Sequence, residues 1–183
     1  MVVLGKYALA TWRPLVAVLL FCCSGIADRL PENQIAKGKA DDVLSSVNVY
    51  RTPISQVLSR FGRPTRTIDV LEDKNDGRDY EWDRGEVKLF LGTWNDKGNN
   101  SVPYSVEVWG KRSIGILGVT GRGLKLGSTL EEVHQIYGDR FSKYEQEDGT
   151  LRVTIQWQNE TTLYLYFDQS GKIDQIHLMA ATQ

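Results

Sequence analysis

The feature that most constrains this chain is a helix signal followed by strand-like runs, which occupies residues 126–178. The helix signal opens the stretch and reads Leu-Gly-Ser-Thr-Leu-Glu-Glu-Val-His-Gln-Ile-Tyr-Gly. Ser128 or Thr129 can cap this helix, and a cap at Ser128 would put Glu131 at the reciprocal position of a capping box. Gly138 predicts the end of the helix, most simply as a left-handed cap.

Apolar residues recur at helical spacing within the predicted helix and at strand spacing in the runs that follow it. On the helix they form one face, which consists of Leu130, Val133, Ile136 and Tyr137. The alternating runs that follow predict strands at 141–146, 151–157, 161–167 and 172–179. Turn residues separate these runs at 147–149, 159–160 and 168–171. The stretch therefore predicts one helix packed on an antiparallel meander.

A degenerate copy of this pattern occupies the first half of the chain. We expect Thr52 to cap its helix, Pro53 to take the first helical position and Gly62 to end it. The apolar stripe of this helix consists of Ile54, Val57, Leu58 and Phe61. Strands are predicted at 65–71, 79–82, 86–91 and 104–109, and turns at 75–77, 84–85 and 95–100.

The two halves match at helix ends, turns and strand faces, which is the pattern of an internal repeat. The matched positions are Val57 with Val133, Phe61 with Tyr137, Gly62 with Gly138, Trp82 with Trp157, and Leu89 with Leu165. A glycine-rich crossover over residues 111–123 joins the halves. We therefore expect an α+β fold of two helix-plus-antiparallel-meander repeats, with the helices packed on one face of an antiparallel sheet.

Residues 1–27 differ from the rest in composition, because they contain basic residues and a long apolar run but no acidic residue. The apolar run over 15–27 is shorter than the roughly 20 residues that span a bilayer, which favours a cleaved signal peptide over a membrane anchor. The small residues Gly25 and Ala27 precede a cleavage site before Asp28. We expect cleavage there and a secreted or periplasmic protein.

Both cysteines of the chain, Cys22 and Cys23, lie inside this segment. Lipidation at either is an alternative to simple cleavage, although Phe21 makes a poor lipobox. If the segment is removed, the mature protein has no disulfide and no cysteine metal site. Removal takes two of the 22 basic residues and none of the 23 acidic ones, so the formal charge moves from −1 to −3. That balance gives no reason to expect nucleic-acid binding.

These signals divide the chain into five segments. They are the signal peptide 1–27, a polar tether 28–47, repeat 1 over 48–110, the crossover 111–123 and repeat 2 over 124–183. The tether is expected to be extended or to form a short helix around residues 41–47.

A helix that opens on Leu-Gly-Ser-Thr-Leu-Glu-Glu-Val, ends on Tyr-Gly and precedes a three-strand meander resembles a known unit. It is similar to the tandem repeat of the β-lactamase inhibitory protein family and to the small outer-membrane lipoprotein A (SmpA/OmlA) domain. The resemblance covers residues 48–180 and implies a secreted or envelope protein that works through protein–protein contact. The chain lacks the mature disulfides of the inhibitors and has a poor lipobox for the lipoproteins, so neither specific activity is carried over.

Two sequence patterns superficially suggest ligand chemistry. The acidic run between Asp69 and Asp83 fails as a calcium loop, because setting Gly77 at position six puts Lys74 at position three. A solvated hairpin is the better interpretation of that run. The glycines of 115–123 lack the Gly-Lys-Ser/Thr that opens a phosphate-binding helix, which favours a flexible crossover.

The two histidines lie on different elements and do not suggest a metal site. His134 matches Leu58 of the other helix and is expected to be a partly buried packing residue. His177 lies on a strand, on the face opposite Ile176 and Leu178. No convergent metal ligands, cofactor site or nucleophile–base arrangement is legible, so we expect a protein that is not an enzyme.

The sheet face turned away from the core is the candidate binding surface. In the run 151–157, Val153 and Ile155 share one side with Trp157, which leaves Arg152 on the other side. The same alternation in the other strands leaves large aromatic and charged side chains there. The candidate binding residues are Phe90, Trp109, Arg152, Tyr164, Tyr166 and His177. Tyr, Trp and Arg dominate interface energetics, and ordinary cross-strand pairing is the alternative explanation.

The leading hypothesis is a secreted or periplasmic, non-catalytic protein-binding module, either inhibitor-like or an envelope-assembly accessory. Its partner would be another protein of the cell envelope or exterior. No cofactor or nucleic acid is expected. Contact with a membrane is expected only through an uncleaved or lipidated N-terminus. A small-ligand or cell-wall-fragment binder and an unrecognised hydrolase are the alternatives. A broad face would favour the first hypothesis, a closed pocket the second, and carboxylates or histidines around a cleft the third.

Overall fold

The computed structural model describes residues 42–72, 75–94, 98–157 and 161–180, all within the unit Glu32–Gln183. The helices are α1 (Ile54–Phe61) and α2 (Leu130–Tyr137), with a short 3-10 turn at Gly98–Asn100. The strands are β1 (Val43–Leu44), β2 (Val47–Asn48), β3 (Arg66–Glu72), β4 (Asn75–Asp83), β5 (Val87–Trp94), β6 (Pro103–Gly110), β7 (Ser142–Glu145), β8 (Leu151–Gln156), β9 (Thr161–Phe167) and β10 (Ile173–Ala180).

Eight strands form one antiparallel sheet in the order β3-β4-β5-β6-β10-β9-β8-β7. Strands β3 to β6 follow one another both along the chain and across the sheet, and so do β7 to β10. The two runs meet where β6 pairs with β10, with Ile176 opposite Val108. Within the described residues, one antiparallel sheet and two short helices agree with the predicted α+β class.

Both helices pack on the same face of this sheet. Phe61 at the end of α1 lies against Trp82 of β4, with ring centroids 6.2 Å apart, and Tyr137 at the end of α2 lies against Trp157 at the same distance. The predicted apolar faces of both helices belong to the core. The sheet side of that core consists of Leu89, Leu91, Val106, Val108, Val153, Ile155, Leu163, Leu165, Ile176 and Leu178. We call the opposite side of the sheet the open face.

The start of α1 differs from the prediction that Thr52 caps it. Pro53 is the N-cap residue, in an extended conformation and with no side-chain cap. The Thr52 hydroxyl instead accepts a hydrogen bond of 2.8 Å from the backbone N–H of Asn48, which ties the helix to β2. The N–H of Ile54 finds its acceptor in the carbonyl of Ser101, 2.8 Å away. A tertiary contact thus satisfies an amide that a side-chain cap would otherwise hold.

The start of α2 follows the second of the two predicted caps. Thr129 is the N-cap, and its backbone N–H donates to Oε2 of Glu132 at 2.8 Å while the N–H of Glu132 donates to the Thr129 hydroxyl. The alternative box of Ser128 with Glu131 is therefore wrong by one residue. Gly138 ends the helix with φ 66° as expected, but its ψ of −146° lies outside the left-handed helical region.

The predicted turn at residues 75–77 is wrong, because these residues form the first part of β4. Asn75 pairs with Glu72, and Gly77 pairs with Val70 on one side and with Trp94 on the other. A Cβ on Gly77 would stand 2.6 Å from the carbonyl oxygen of Thr93. Glycine therefore serves here for close approach of the neighbouring strand rather than for a turn.

The other turns fall largely where the sequence predicts them. Gly85, Gly149 and Gly171 have φ of 75°, 79° and 76°, a region that favours glycine over side chains with a Cβ. The predicted turn at 159–160 lies outside the described residues, and so does the first part of the loop at 95–100.

Residues 42–47 are part of the folded unit, in place of the tether or short helix predicted there. β1 and β2 pair as a hairpin, and Leu44 and Val47 are fully buried. The glycine-rich crossover is hydrogen-bonded to this hairpin, since the N–H of Ser45 donates to the carbonyl of Val119 and the N–H of Gly118 donates to the Ser45 hydroxyl, both at 2.9 Å. The remainder of the predicted tether lies outside the described residues.

None of the helices in the described ranges is both long and apolar enough to cross a membrane.

Candidate functional site

The strand registers bring all six predicted binding residues onto the open face. One row runs across β5, β6, β10 and β9 and consists of Phe90, Glu107, His177 and Tyr164. The next row runs across β6, β10, β9 and β8 and consists of Trp109, Gln175, Tyr166 and Arg152. The six positions, which come from five different strands, thus lie in two adjacent rows. Their role in binding stays a prediction.

Trp109 is the most exposed of the six, with 48% of its surface accessible. Its ring lies 5.8 Å from that of Phe90, and its indole N–H donates to Oε1 of Glu107 at 2.6 Å. The side-chain amide of Gln175 donates to the same carboxylate oxygen. The tryptophan is therefore held at a set orientation while much of its surface remains in water, which suits a residue that makes contact with a partner.

His177 occupies a more enclosed position near the middle of the open face. Its Nε2 lies 2.9 Å from the hydroxyl of Ser105, and its ring centroid lies 5.9 Å from that of Tyr164. Burial lowers the pKa of His177 below its ordinary value, and the nearby Glu107 carboxylate offsets part of that effect. Desolvation disfavours the charged imidazolium, so the neutral ring is the stable form at neutral pH.

Arg152 lies between two tyrosine rings on β7 and β9. The guanidinium carbon is 5.0 Å from the ring centroid of Tyr144 and 5.9 Å from that of Tyr164, which is within the range of a cation–π contact. The Nε of Arg152 is buried and has no hydrogen-bond acceptor within the described residues. Tyr144 caps this arrangement from the edge strand and is 56% exposed.

The sequence pattern missed a second aromatic pair on this face. Trp94 of β5 and Tyr104 of β6 are stacked, with centroids 4.3 Å apart and planes at 19°. The register between β5 and β6 shifts at Gly92 of β5, which brings Tyr104 of β6 over that glycine. A Cβ on Gly92 would lie 2.8 Å from the tyrosine ring. Alternation alone does not reveal the shift, because a bulge changes which residue points to which face. Gly92, directly after the predicted strand 86–91, was the available signal.

Two clefts are lined by residues outside the two rows of the open face. One cleft of about 700 Å³ lies between the end of α1 and the edge strands, lined by Arg63, Arg66 and Arg78 among others. A smaller one lies beside β1 and the glycine-rich crossover. Within the described residues no group of three or more His, Cys, Asp or Glu side chains is placed to hold a metal ion.

The remaining histidine and the acidic run make structural contacts. His134 of α2 is partly buried; its Nδ1 lies 3.1 Å from a carboxylate oxygen of Asp139, and its ring packs edge-on against Phe141 at 4.7 Å. In the acidic run, Asp69 accepts a hydrogen bond of 2.7 Å from Arg78. These contacts agree with the partly buried packing histidine and the solvated hairpin that the sequence favours.

No protein-family model matches the chain, and no curated protein has significant sequence similarity to it. Among solved structures, an extracellular protein of Bacillus anthracis that contains an SCP domain is similar over 79% of this chain, with a TM-score of 0.50 and 11% identity. The matched region is 47% of that protein, so the chain spans about half of its length. At this identity the similarity shows a shared fold and nothing about function.

Two further structures are similar at lower TM-scores. A DUF4309-family protein of Bacillus subtilis matches 78% of this chain and 89% of its own, with 19% identity and a TM-score of 0.46. A candidate beta-lactamase inhibitor protein of Streptococcus mutans matches 69% of this chain and 82% of its own, with 16% identity and a TM-score of 0.32. With TM-scores below 0.5, neither bears on the function of this chain.

Proposed function

We propose that this chain is an exported, non-catalytic protein-binding module that uses the open face of its sheet. The observation that supports the proposal is the pair of adjacent rows on that face, in which aromatic side chains and one arginine are held in place by neighbours. Trp109 is oriented by Glu107 and Arg152 by Tyr144 and Tyr164. Large side chains that are already ordered lose little conformational entropy on binding, which favours affinity.

The form of this surface supports a protein partner over the alternatives. The two clefts described above lie at the edge strands beside α1 and next to β1, whereas the open face presents residues from neighbouring strands as a broad surface. Small molecules favour concave sites that enclose most of their surface. A cell-wall fragment is the second candidate, because stacked aromatic rings such as Trp94 and Tyr104 also suit sugar rings.

We further propose that the two halves are tandem copies of one unit, of the kind that the β-lactamase inhibitory proteins contain. Each half has a helix followed by four consecutive strands. The Phe61–Trp82 and Tyr137–Trp157 contacts occur at matched positions with the same spacing and similar tilt. Val57 and Val133 are both fully buried, so Val57→Ala and Val133→Ala should lower the free energy of unfolding by comparable amounts. A large difference between them would argue against equivalent units.

The proposed surface can be tested by capture from envelope and culture-fluid fractions. The wild-type protein and a Tyr164→Ala, Tyr166→Ala double variant serve as baits, and captured proteins are identified by mass spectrometry and then tested as purified partners. We expect the wild type to retain a specific protein and the double variant to lose it, with little change in thermal midpoint.

A matched control replaces exposed apolar residues outside the open face. Ile114 and Ile116 of the crossover are 43% and 44% exposed, so Ile114→Ala, Ile116→Ala removes comparable surface without touching the proposed site. Equal capture by the tyrosine variant and the wild type would place the partner elsewhere. Strong destabilisation of the tyrosine variant would instead identify those residues as structural.

A further inference from the structure

We infer that the β7–β10 half of the open face receives a carboxylate side chain of an acidic partner segment at Arg152. The inference rests on the proposed function, because it names the chemistry of the partner that the open face would take. It follows from the distribution of charge over the face and from the surroundings of Arg152.

The two halves of the open face differ sharply in charge. In the β3–β6 half the charged positions are mostly acidic, and they consist of Arg66, Asp79, Glu81, Asp83, Lys88 and Glu107. In the β7–β10 half the positions that alternate onto this face are Ser142, Tyr144, Arg152, Thr154, Gln156, Thr162, Tyr164, Tyr166, Gln175, His177 and Met179. With His177 neutral, Arg152 is the charged side chain among these described positions.

Within the described residues, the acidic side chains on this face and at its bulge form no ion pair with Arg152. In the β3–β6 half, Lys88 already stands 3.3 Å from a carboxylate oxygen of Asp83 and 3.8 Å from one of Glu81. Asp174, at the start of β10, is a bulge residue that does not follow the in–out alternation of the strand. Burial raises the pKa of Asp174, and the nearby Asp168 carboxylate raises it further. Within the described residues no carboxylate forms an ion pair or hydrogen bond with Arg152.

Arg152 is therefore a cation between aromatic rings that has no carboxylate partner in the part of the chain that the structure describes. The rings of Tyr144 and Tyr164 lie 5.0 Å and 5.9 Å from its guanidinium carbon, and its buried Nε has no hydrogen-bond partner among the described residues. The Arg152 side chain as a whole is only partly buried, so atoms of this side chain other than Nε are accessible. A guanidinium presents a planar fork that matches a carboxylate, and the low local dielectric around it strengthens such a pair.

An acidic protein segment fits this half better than other anionic partners. Nucleic acid and anionic membranes need an extended basic surface, whereas here a single arginine is bordered by the acidic β3–β6 half. A peptide with one Asp or Glu flanked by apolar residues would place its carboxylate on Arg152 and its apolar side chains on Tyr144, Tyr164 and Tyr166. Tyrosine and arginine are the residue types that most often dominate such contacts.

The test uses a random peptide library displayed on phage, selected on the full-length mature protein. We expect the selected peptides to be enriched in Asp or Glu at one position. Synthetic versions are then measured by calorimetry against wild type, Arg152→Gln and Arg152→Lys. Replacing the acidic residue by its amide, or Arg152 by Gln, should each weaken binding roughly ten- to a hundredfold. The two changes together should cost little more than either alone, and Arg152→Lys should restore part of the affinity.

Lys88→Gln is the matched control, because it removes a cation from the other half of the same face. Equal loss in Lys88→Gln and Arg152→Gln would overturn the inference, as would selected peptides without an acidic residue. If peptides without an acidic residue no longer bind the Tyr164→Ala, Tyr166→Ala variant, the proposed function stands while this inference fails. Peptides insensitive to both the tyrosine and the arginine variants would count against both. If the protein associates with itself and Arg152→Gln abolishes that association, the occupant of the site is a second copy of this chain. That outcome would overturn the inference of a separate partner.

Discussion

At the scale of single residues, the open face combines partly exposed aromatic rings with polar groups that hold them in place. Glu107 accepts hydrogen bonds from Trp109 and from Gln175, and Ser105 contacts His177. The charge-assisted hydrogen bonds to Glu107 are stronger than neutral ones. Trp109 and His177 are thus held in place by neighbouring polar groups.

His177 predicts a pH dependence of stability. Its pKa in the folded protein lies below the unfolded value of about 6.5 because burial penalises the charged ring. The unfolded state therefore binds the proton more readily, so stability present above pH 6.5 is lost as the pH falls toward the folded pKa. Urea unfolding followed over this range should show the decline, and His177→Gln should flatten it. A folded-state pKa at or above the unfolded value, measured by NMR titration, would contradict the expectation.

Val133 predicts the cost of placing a charge in the core. It is fully buried on α2, and an unpaired carboxylate there costs several kcal/mol or must be protonated. Val133→Asp should therefore unfold the domain or nearly so, as judged by circular dichroism and thermal melting. Gln135→Asp on the exposed side of the same helix is the control and should remain folded. A stable Val133→Asp variant would refute the packing assigned to α2.

At the scale of elements, the two helices begin in different ways despite their similar signals. α2 relies on its own capping box of Thr129 and Glu132, whereas α1 relies on the carbonyl of Ser101. Local residues predict the first case because the bonding groups are three positions apart. They do not predict the second, since its acceptor lies in a distant loop.

The capping box of α2 predicts a measurable loss on substitution. Thr129→Ala removes the hydroxyl that accepts from Glu132 and should lower the free energy of unfolding by about 1 kcal/mol. Glu131→Ala removes the carboxylate that the rejected box would use and should have a smaller effect. Urea titrations of the two variants decide between them, and a larger loss for Glu131→Ala would restore the Ser128 assignment.

At the scale of the whole molecule, the sheet order places the two halves edge to edge through β6 and β10. This junction brings Glu107 of the first half beside His177 and Gln175 of the second. The open face is therefore continuous across the junction, and its acidic half adjoins its tyrosine-rich half. A partner could contact both halves at once.

Export of the chain is the prediction at this scale that the folded residues do not address. It depends on residues 1–27, whose apolar run resembles a signal peptide. N-terminal sequencing of protein recovered outside the cytoplasm should find a chain that begins at Asp28. A chain that still begins at Met1 in the membrane fraction would contradict cleavage, and a lipid on Cys22 or Cys23 would show the alternative processing.

The sequence by itself determined both helices, most strands and the parity of the open face. These depend on local chemistry: glycine at the turns, capping residues, and the alternation that separates Arg152 from Val153. For that reason all six predicted binding residues share one face. The same logic located the helix ends at Gly62 and Gly138.

Only the tertiary structure decided which strands are neighbours and where alternation breaks. The pairing of β6 with β10, the position of Gly77 inside β4 and the bulge that brings Tyr104 over Gly92 all depend on partners far away in the chain. Such contacts are set by long-range packing, which residue patterns within a short window do not encode.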